Sequence, residues 1–179
     1  GLLRHFTTII EHSDLPTILY NVPSRTGMCI TAETVSALAR NQRIVGIKEA
    51  SGDLSCAMRI IEKTHGSLPI YCGNDDLILP MMAIGAKGAV SVCSNIAPVQ
   101  TKKLTDACLS GNLTEARSAQ TELLPLICAL SADVNPIPAK AALSIMGMIH
   151  DELRLPLTPM EGPNRSKLCA VLRQMNLIS

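Results

Sequence analysis

The sequence predicts an α/β protein built as the C-terminal half of a (β/α)8, or TIM, barrel: about four parallel strands followed by a helical C-terminal region. Three observations predict this fold class. Four apolar runs alternate with helical patterns at intervals of roughly 20 to 27 residues, the spacing of βα units. Two of these runs, IVGI at 44–47 and AVSV at 89–92, are continuous, as in parallel strands that are buried on both faces. After the fourth run only helical patterns remain.

The elements follow one another in a regular order. The predicted elements are helix 2–11, strand 17–22, helix 31–40, strand 43–47, helix 53–64, strand 68–72, helix 75–84, strand 88–92 and helix 98–109. Helical patterns at 113–130, 138–148 and 163–175 complete the chain. Thr31 is a good N-cap, and Asn112 with Glu115 has the spacing of a capping box. We therefore predict a barrel part over residues 1–110 and a helical region over 111–179.

Four βα units amount to half of a barrel, which takes about 250 residues when complete. Because the chain opens directly on a helical pattern at 2–11, we expect the N-terminal strands to be encoded upstream. Half a barrel has two open strand edges, so we expect the isolated chain to aggregate, to pair with a partner or to fold poorly, and to show little or no activity. Periodicity alone leaves one rival fold open, a four-stranded doubly wound sheet.

The composition excludes several classes of protein. Of the 179 residues 47% are hydrophobic and 17% charged, with a formal net charge of +1, as in an ordinary soluble globular protein. The 16 basic and 15 acidic residues are interspersed, so nucleic acid is not an expected partner. No apolar run approaches the roughly 20 residues that cross a bilayer, and no signal peptide is visible. We expect a cytoplasmic protein with no membrane partner.

The seven cysteines indicate free thiols in a reducing cytosol. They are an odd number, without a C-x-x-C pair and without His at ligand spacing, so neither a disulfide framework nor a zinc site is predicted. A nucleophilic Cys would need a nearby His base, and the sequence places none of the four His to supply one. We expect these side chains to pack as small apolar groups.

The ends of the predicted strands carry the residues that suit chemistry, as in other parallel α/β folds. Lys48 follows the buried run 44–47, and burial favours the neutral amine that can attack a ketone. A Lys that reaches solvent or pairs with Glu49 is the structural alternative. Tyr20 ends the neighbouring strand, where a phenol can shuttle protons, although a packed aromatic would also stand there.

Two further residues follow the same strand ends. Arg25, in a loop between Pro23 and Gly27, has the planar fork that suits a substrate carboxylate, although a loop Arg can simply contact solvent. Gly73 would allow a close approach of the backbone to a ligand, or would serve as a turn residue.

The ordered loops YNVPSRTG at 20–27, GIKEASGD at 46–53 and CGNDD at 72–76 resemble those of the dihydrodipicolinate synthase family, within the N-acetylneuraminate lyase superfamily. The resemblance continues through GAKGAVSVCSNIAP at 85–98, NPIPAKAAL at 135–143 and RLPLTP at 154–159. It implies that Lys48 is the Schiff-base lysine for pyruvate and that Tyr20 is the proton-relay tyrosine. It implies further that Arg25 helps to bind the carboxylate of the aldehyde substrate, and that Gly73 and Val90 line the pyruvate pocket.

The function implied by this resemblance is the condensation of pyruvate with L-aspartate-4-semialdehyde in lysine and diaminopimelate biosynthesis, by a homo-tetramer. No metal or organic cofactor is implied, because the lysine itself supplies the electron sink. The relay threonine and second tyrosine of the family belong to its N-terminal half, and Asn74 stands where the family often has an acidic residue. An N-acetylneuraminate lyase, a 2-keto-3-deoxy sugar acid aldolase and a non-catalytic remnant are the alternatives. Arg25 in its SRTG context favours the smaller, carboxylate-bearing aldehyde.

Overall fold

The computed structural model describes all residues from 1 to 179 and contains one sheet of four parallel strands. The strands are β1 (Thr17–Asn21), β2 (Ile44–Glu49), β3 (Ile70–Cys72) and β4 (Gly88–Ala89). Each strand pairs with the next one along the chain, in the order β1-β2-β3-β4. A doubly wound sheet reverses its strand order at a switch point. The observed order therefore excludes the rival fold and identifies part of a barrel, as predicted.

The helices alternate with the strands and then continue alone. They are α1 (Leu2–Glu11), α2 (Pro23–Thr26), α3 (Ala32–Leu38), α4 (Leu54–Lys63), α5 (Ile78–Ala83), α6 (Pro98–Leu109), α7 (Leu113–Leu130), α8 (Ile137–Ile145) and α9 (Gly162–Gln174). The chain divides into two compact units, Gly1–Val90 and Ser91–Ser179. The division at residue 110 stays a prediction. None of the helices combines the length and the apolar character needed to cross a membrane.

The predicted strands are present, but three of them end at different residues. β1 ends at Asn21, one residue before its predicted end. β2 continues two residues beyond its predicted end, so that Lys48 lies inside the strand. β4 stops at Ala89, short of the predicted residue 92. Its partner β3 ends at Cys72, whose carbonyl accepts the Val90 N–H at 2.8 Å. Beyond that hydrogen bond β3 has no further residue with which β4 could pair.

Two predicted helices also differ from the structure, for identifiable reasons. The segment 75–84 is a 3-10 helix at Asp75–Leu77 followed by α5, which places Pro80 in the first turn of α5. The first N–H groups of a helix have no partner within it, so the missing N–H of proline is tolerated there. Helix α8 ends before the predicted residue 148, because Gly147 has a φ of 74° and closes the last turn.

The first unit buries one face of the sheet, called the outer face, under packed helices. Its side chains include Leu19, Ile47 and Ile70, each at most 2% exposed. Helix α1 packs on α3, α3 on α4, and α4 on α5. Burying an aliphatic side chain of this kind stabilises the fold by about 1.5–3 kcal/mol.

The opposite face of the sheet, called the inner face, is open. Ile18 is 49% exposed and Tyr20 46%. We predicted strands buried on both faces, and for the inner face this is wrong. The inner face of a barrel is covered by the other strands of the same barrel, and four strands do not close one.

The second unit is helical throughout. Helix α7 packs against α6, α8 and α9. The largest side chains that this packing buries completely include Leu104, Leu123, Leu126, Leu168 and Leu172. Asn112 caps α7 by accepting the Glu115 N–H at 3.2 Å, as the spacing of these two residues predicts.

Candidate active site

The predicted nucleophile Lys48 lies on the inner face of β2. The parallel register pairs it with Tyr20 of β1 on one side and with Tyr71 of β3 on the other. Because residues that face each other across paired strands point to the same side of a sheet, the amine and both phenols share the inner face. The register alone therefore brings together two predicted site residues and one further aromatic.

The amine of Lys48 is in direct contact with the ring of Tyr20. Its Nζ atom lies 4.2 Å from the centroid of that ring, well within the range of a cation–π contact. The contact holds the end of a flexible four-carbon side chain above a phenol at the edge of the sheet. The amine can form a bond to a carbonyl carbon, and the neighbouring phenol can move the protons that this bond requires.

Gly73 leaves room for the stem of Lys48. A Cβ atom at Gly73 would lie 3.0 Å from Lys48 Cε and 2.6 Å from Ala50 Cβ, closer than such atoms pack. The Gly73 N–H also donates to the Glu49 carbonyl at 2.8 Å, which fixes this backbone beside β2. The sequence predicts a close approach to a ligand at this glycine. The structure contains a close approach to the side chain of Lys48, the predicted nucleophile.

Tyr71 is a residue of the site that the sequence analysis left without a role. Its ring lies over Gly46, where a Cβ atom would be 3.2 Å from Tyr71 Cε2, and beside Gly88 on β4. The two glycines thus make space for one ring on the inner face, next to Lys48. The scarcity of aromatic residues, three in the chain, is the sequence signal that could have found it.

The two remaining predicted residues lie at neighbouring strand ends. Val90 follows β4, is 45% exposed, and bonds to the end of β3 through its N–H. Arg25 is exposed in the short helix α2, which begins two residues after β1 ends. The structure therefore brings Tyr20, Lys48 and Gly73 into one contact group and places Val90 and Arg25 on the adjoining segments.

The outer face directly behind Lys48 holds a buried carboxylate. Glu49 is 3% exposed, and its Oε2 accepts a hydrogen bond from Asn21 Nδ2 at 2.7 Å. Its Oε1 accepts the Ser51 N–H at 2.6 Å. The alternative in which Lys48 forms an ion pair with Glu49 is therefore wrong, because alternation along β2 sends the two side chains to opposite faces. The alternation in GIKE could have revealed this from the sequence.

The thiols near the site are poor nucleophiles. Burial raises the pKa of Cys72 to about 11 and also that of Cys56 to about 11, where the charge of Glu49 adds to the effect. The thiolate is the reactive form of cysteine, so these side chains are protonated near neutral pH. Across the chain, no group of three or more His, Cys, Asp or Glu is arranged to hold a metal ion.

Comparison with protein families gives one match that covers nearly the whole chain. The model of the dihydrodipicolinate synthetase family matches residues 1–175. A curated relative from an Exiguobacterium species, named 4-hydroxy-tetrahydrodipicolinate synthase, is 49% identical over 176 residues. That match takes in 98% of this chain and 60% of the relative. The chain therefore spans about three fifths of the length of its relatives.

Solved structures agree with the family match. Dihydrodipicolinate synthase from Aquifex aeolicus is 40% identical with a TM-score of 0.96, over 99% of this chain and 61% of that one. The chloride-inhibited enzyme from Acinetobacter baumannii, complexed with pyruvate, is 36% identical with a TM-score of 0.95, over the same shares of the two chains. At these identities the likeness extends beyond the fold to the sequence itself.

Proposed function

Because the chain belongs to the dihydrodipicolinate synthetase family, we propose that the protein condenses pyruvate with L-aspartate-4-semialdehyde through a Schiff base on Lys48. The product would be 4-hydroxy-tetrahydrodipicolinate, an intermediate of lysine and diaminopimelate biosynthesis. One observation carries the proposal: the Lys48 amine lies 4.2 Å from the centroid of the Tyr20 ring at the edge of the sheet. The names of the relatives favour this substrate pair over a sialic acid or a sugar acid.

The pyruvate half of the reaction uses Lys48 and Tyr20. The neutral amine attacks the keto carbon, and the carbinolamine loses its oxygen as water to give an iminium. Tyr20 transfers protons to and from the departing oxygen. The iminium then accepts the electron pair that the pyruvate methyl group leaves behind when it loses a proton, which gives an enamine. Gly73 and Val90 would line the space around the keto acid. The lysine is the electron sink, so the scheme needs no added cofactor.

The aldehyde half of the reaction is assigned to Arg25. Its guanidinium can form two parallel hydrogen bonds with a carboxylate, which would orient L-aspartate-4-semialdehyde. The enamine carbon of the bound pyruvate then forms a bond to the aldehyde carbon. Attack of the substrate's own amine on the iminium carbon would release Lys48 and close the ring of the product.

The test is chemical trapping of the imine. The protein expressed from its complete coding sequence is incubated with pyruvate and borohydride, and the reduced adduct is located by mass spectrometry. We expect the adduct on Lys48, its loss in Lys48→Arg, and its retention in the control Lys63→Arg, a change at an exposed lysine of α4. An adduct on another residue would overturn the assignment.

The second substrate is tested separately from the first. Turnover of pyruvate with L-aspartate-4-semialdehyde is compared with the cleavage of N-acetylneuraminate and of a 2-keto-3-deoxy sugar acid. We expect turnover of the semialdehyde alone, with a large loss in Arg25→Ala. Cleavage of either sugar acid in preference would transfer the protein to the aldolase class. The mass of the purified protein in solution tests the tetramer that we also propose.

A further inference from the structure

The residues that directly follow Tyr20 and Lys48 form a pair of their own. Asn21 and Glu49 are register partners across β1 and β2, one step beyond the Tyr20–Lys48 pair. Their side chains lie on the outer face and are 0% and 3% exposed. Asn21 directly follows Tyr20, and Glu49 directly follows Lys48. A contact that fixes the backbone of the buried pair therefore also fixes the backbone that carries the phenol and the amine.

Hydrogen bonds join this pair to both strand ends and to both loops that follow. Asn21 Nδ2 donates to Glu49 Oε2 at 2.7 Å, while Asn21 Oδ1 accepts the Ile30 N–H at 2.9 Å. The Ser51 N–H donates to Glu49 Oε1 at 2.6 Å. Two side chains thus connect β1, β2, the segment that returns from α2, and the loop before α4.

Backbone hydrogen bonds continue the connection across the sheet. The Ala50 N–H donates to the Asn21 carbonyl at 2.9 Å, and the Gly73 N–H donates to the Glu49 carbonyl at 2.8 Å. Gly73 is also the residue whose backbone lies against the Lys48 stem. The pair is therefore joined to Lys48 from two sides, along its own strand and through β3.

A charged side chain is not needed to fill the space that Glu49 occupies. No Lys or Arg pairs with this carboxylate, and its partners are an amide and a backbone N–H. Burial of a carboxylate is unfavourable unless hydrogen bonds replace those that it loses to water, and a well-packed apolar pair would avoid this penalty. A carboxylate that accepts two short hydrogen bonds gives a more rigid junction than neutral groups do.

We infer that Asn21 and Glu49 are positioning residues that hold Lys48 and Tyr20 at the separation that imine formation requires. This inference rests on the proposed function of Lys48. Misplacement of reacting groups by about 1 Å can cost on the order of 100-fold in rate. Neither residue touches the substrate, because both side chains lie on the face of the sheet away from the amine.

The experiment exchanges the two groups of the pair. In Glu49→Gln an introduced amide faces the Asn21 amide, so one donor lacks an acceptor. In Asn21→Asp two buried carboxylates face each other, and like charges at this distance hold one proton between them. The double variant N21D/E49Q restores the hydrogen bond between the two side chains with donor and acceptor exchanged, keeps the acceptors of the Ile30 and Ser51 N–H groups, and keeps one negative charge in the pair. It loses only the 3.4 Å hydrogen bond from Asn21 Nδ2 to Cys29 Sγ.

The readout is the rate of borohydride trapping of pyruvate on Lys48, per folded molecule, across a range of pH. We expect each single variant to trap pyruvate about 10- to 100-fold more slowly at saturating pyruvate, with little change in the pyruvate concentration that gives half of the maximal rate. We expect the rate of Asn21→Asp to depend on pH differently from the rate of the unmodified protein. The double variant is expected to recover most of the rate and the original profile.

Other titratable groups near the pair define the control. They are the thiols of Cys29, Cys56 and Cys72 and the carboxylate of Asp53, and none of them changes in the three variants. Asp53→Asn removes a carboxylate from the same loop, where the side chain caps α4 by accepting the Ser55 N–H at 2.8 Å and pairs at the surface with Arg59 at 3.5 Å. Asparagine caps helices equally well, so this control is expected to trap pyruvate at the original rate.

The outcomes separate the two proposals. If the unmodified protein forms no adduct on Lys48, the proposed function fails. If it forms one and both single variants trap at its rate and pH profile, the positioning role alone fails. Failure of the double variant to recover while both single variants are slow would also contradict the role, because the hydrogen bond between the two side chains and those to the Ile30 and Ser51 N–H groups have been restored. If a single variant does not fold, Glu49→Asp keeps the charge but withdraws it from Asn21, and an unaltered rate in that variant overturns the inference.

Discussion

The two faces of the sheet carry adjacent residues of the same strands and differ in almost every property. On the inner face Tyr20 and Lys48 are accessible and in contact. On the outer face Asn21 and Glu49 are buried and fully hydrogen-bonded. The period of two along a strand lets one short sequence supply a reactive group and its support in consecutive residues. Changes on the inner face should therefore act directly on the chemistry, whereas changes on the outer face should alter stability and, at Asn21 and Glu49, the position of the reacting groups.

The largest effect is expected from Tyr20→Phe, which removes only the phenol oxygen from the inner face. Loss of a proton-transfer group lowers the rate by about 100- to 10,000-fold. Stability should change by less than about 0.5 kcal/mol, because Tyr20 is 46% exposed. Steady-state kinetics of the complete protein and urea unfolding of this chain measure the two quantities. The matched change Tyr71→Phe, in the same row, should cost less than about tenfold. Equal losses at both tyrosines would refute the relay role.

The losses of stability caused by substitutions at two neighbouring residues test the contrast between the two faces directly. Leu19→Ala removes a side chain that is 1% exposed on the outer face and should lower the free energy of unfolding by about 2–5 kcal/mol. Ile18→Ala, one residue earlier, removes a side chain that is 49% exposed and should cost less than about 1 kcal/mol in this chain. Urea titrations of the two variants give the comparison. Similar losses would mean that the inner face is covered.

Gly73→Ala tests the contact between the backbone of Gly73 and the side chain of Lys48. The added methyl would lie 2.6 Å from Ala50 Cβ and 3.0 Å from Lys48 Cε, so we expect a loss of about 1–3 kcal/mol in stability and slower trapping of pyruvate. Gly88→Ala is the matched control, since its nearest contact would be 3.9 Å, to Tyr71 Cδ1. Trapping at an unaltered rate in Gly73→Ala would show that the Lys48 stem has space to move.

Most of the fold could be predicted from local patterns. Helix α6 runs from Pro98 to Leu109 as the sequence predicts, because a proline at its start and an apolar period define both ends. The end of β4 could not be predicted, because it depends on where β3 stops, and Cys72 and Ala89 meet only in the folded sheet. Strand ends in general are set by partners distant in sequence, which periodicity does not contain.

The candidate site divides in the same way. Lys48 and Tyr20 could be predicted because they stand at strand ends, and the register places them side by side. Alternation along each strand places Asn21 and Glu49 on the face opposite Tyr20 and Lys48, but the hydrogen bond between them could not be predicted, because it depends on the register between β1 and β2. Tyr71 was missed for a related reason: its space is made by glycines on two other strands. The predicted members of the site can be recognised from residue type and position in the sequence. The missed members can be recognised only from contacts between strands.

The smallest effect is expected from the outer-face thiols at alkaline pH. Burial raises the pKa of Cys72 to about 11, so between the ordinary thiol value of about 8.5 and pH 11 the unfolded chain loses a proton that the folded chain keeps. Stability is therefore constant with respect to this group below that range and falls as the pH rises through it, by up to about 2 kcal/mol. Cys72→Ala should flatten the fall, whereas Cys128→Ala, at an exposed thiol, should not. Urea unfolding at pH 8 and pH 10.5 measures both. A fall of equal size in Cys72→Ala would mean that other groups, such as the buried thiol of Cys56, cause the alkaline loss.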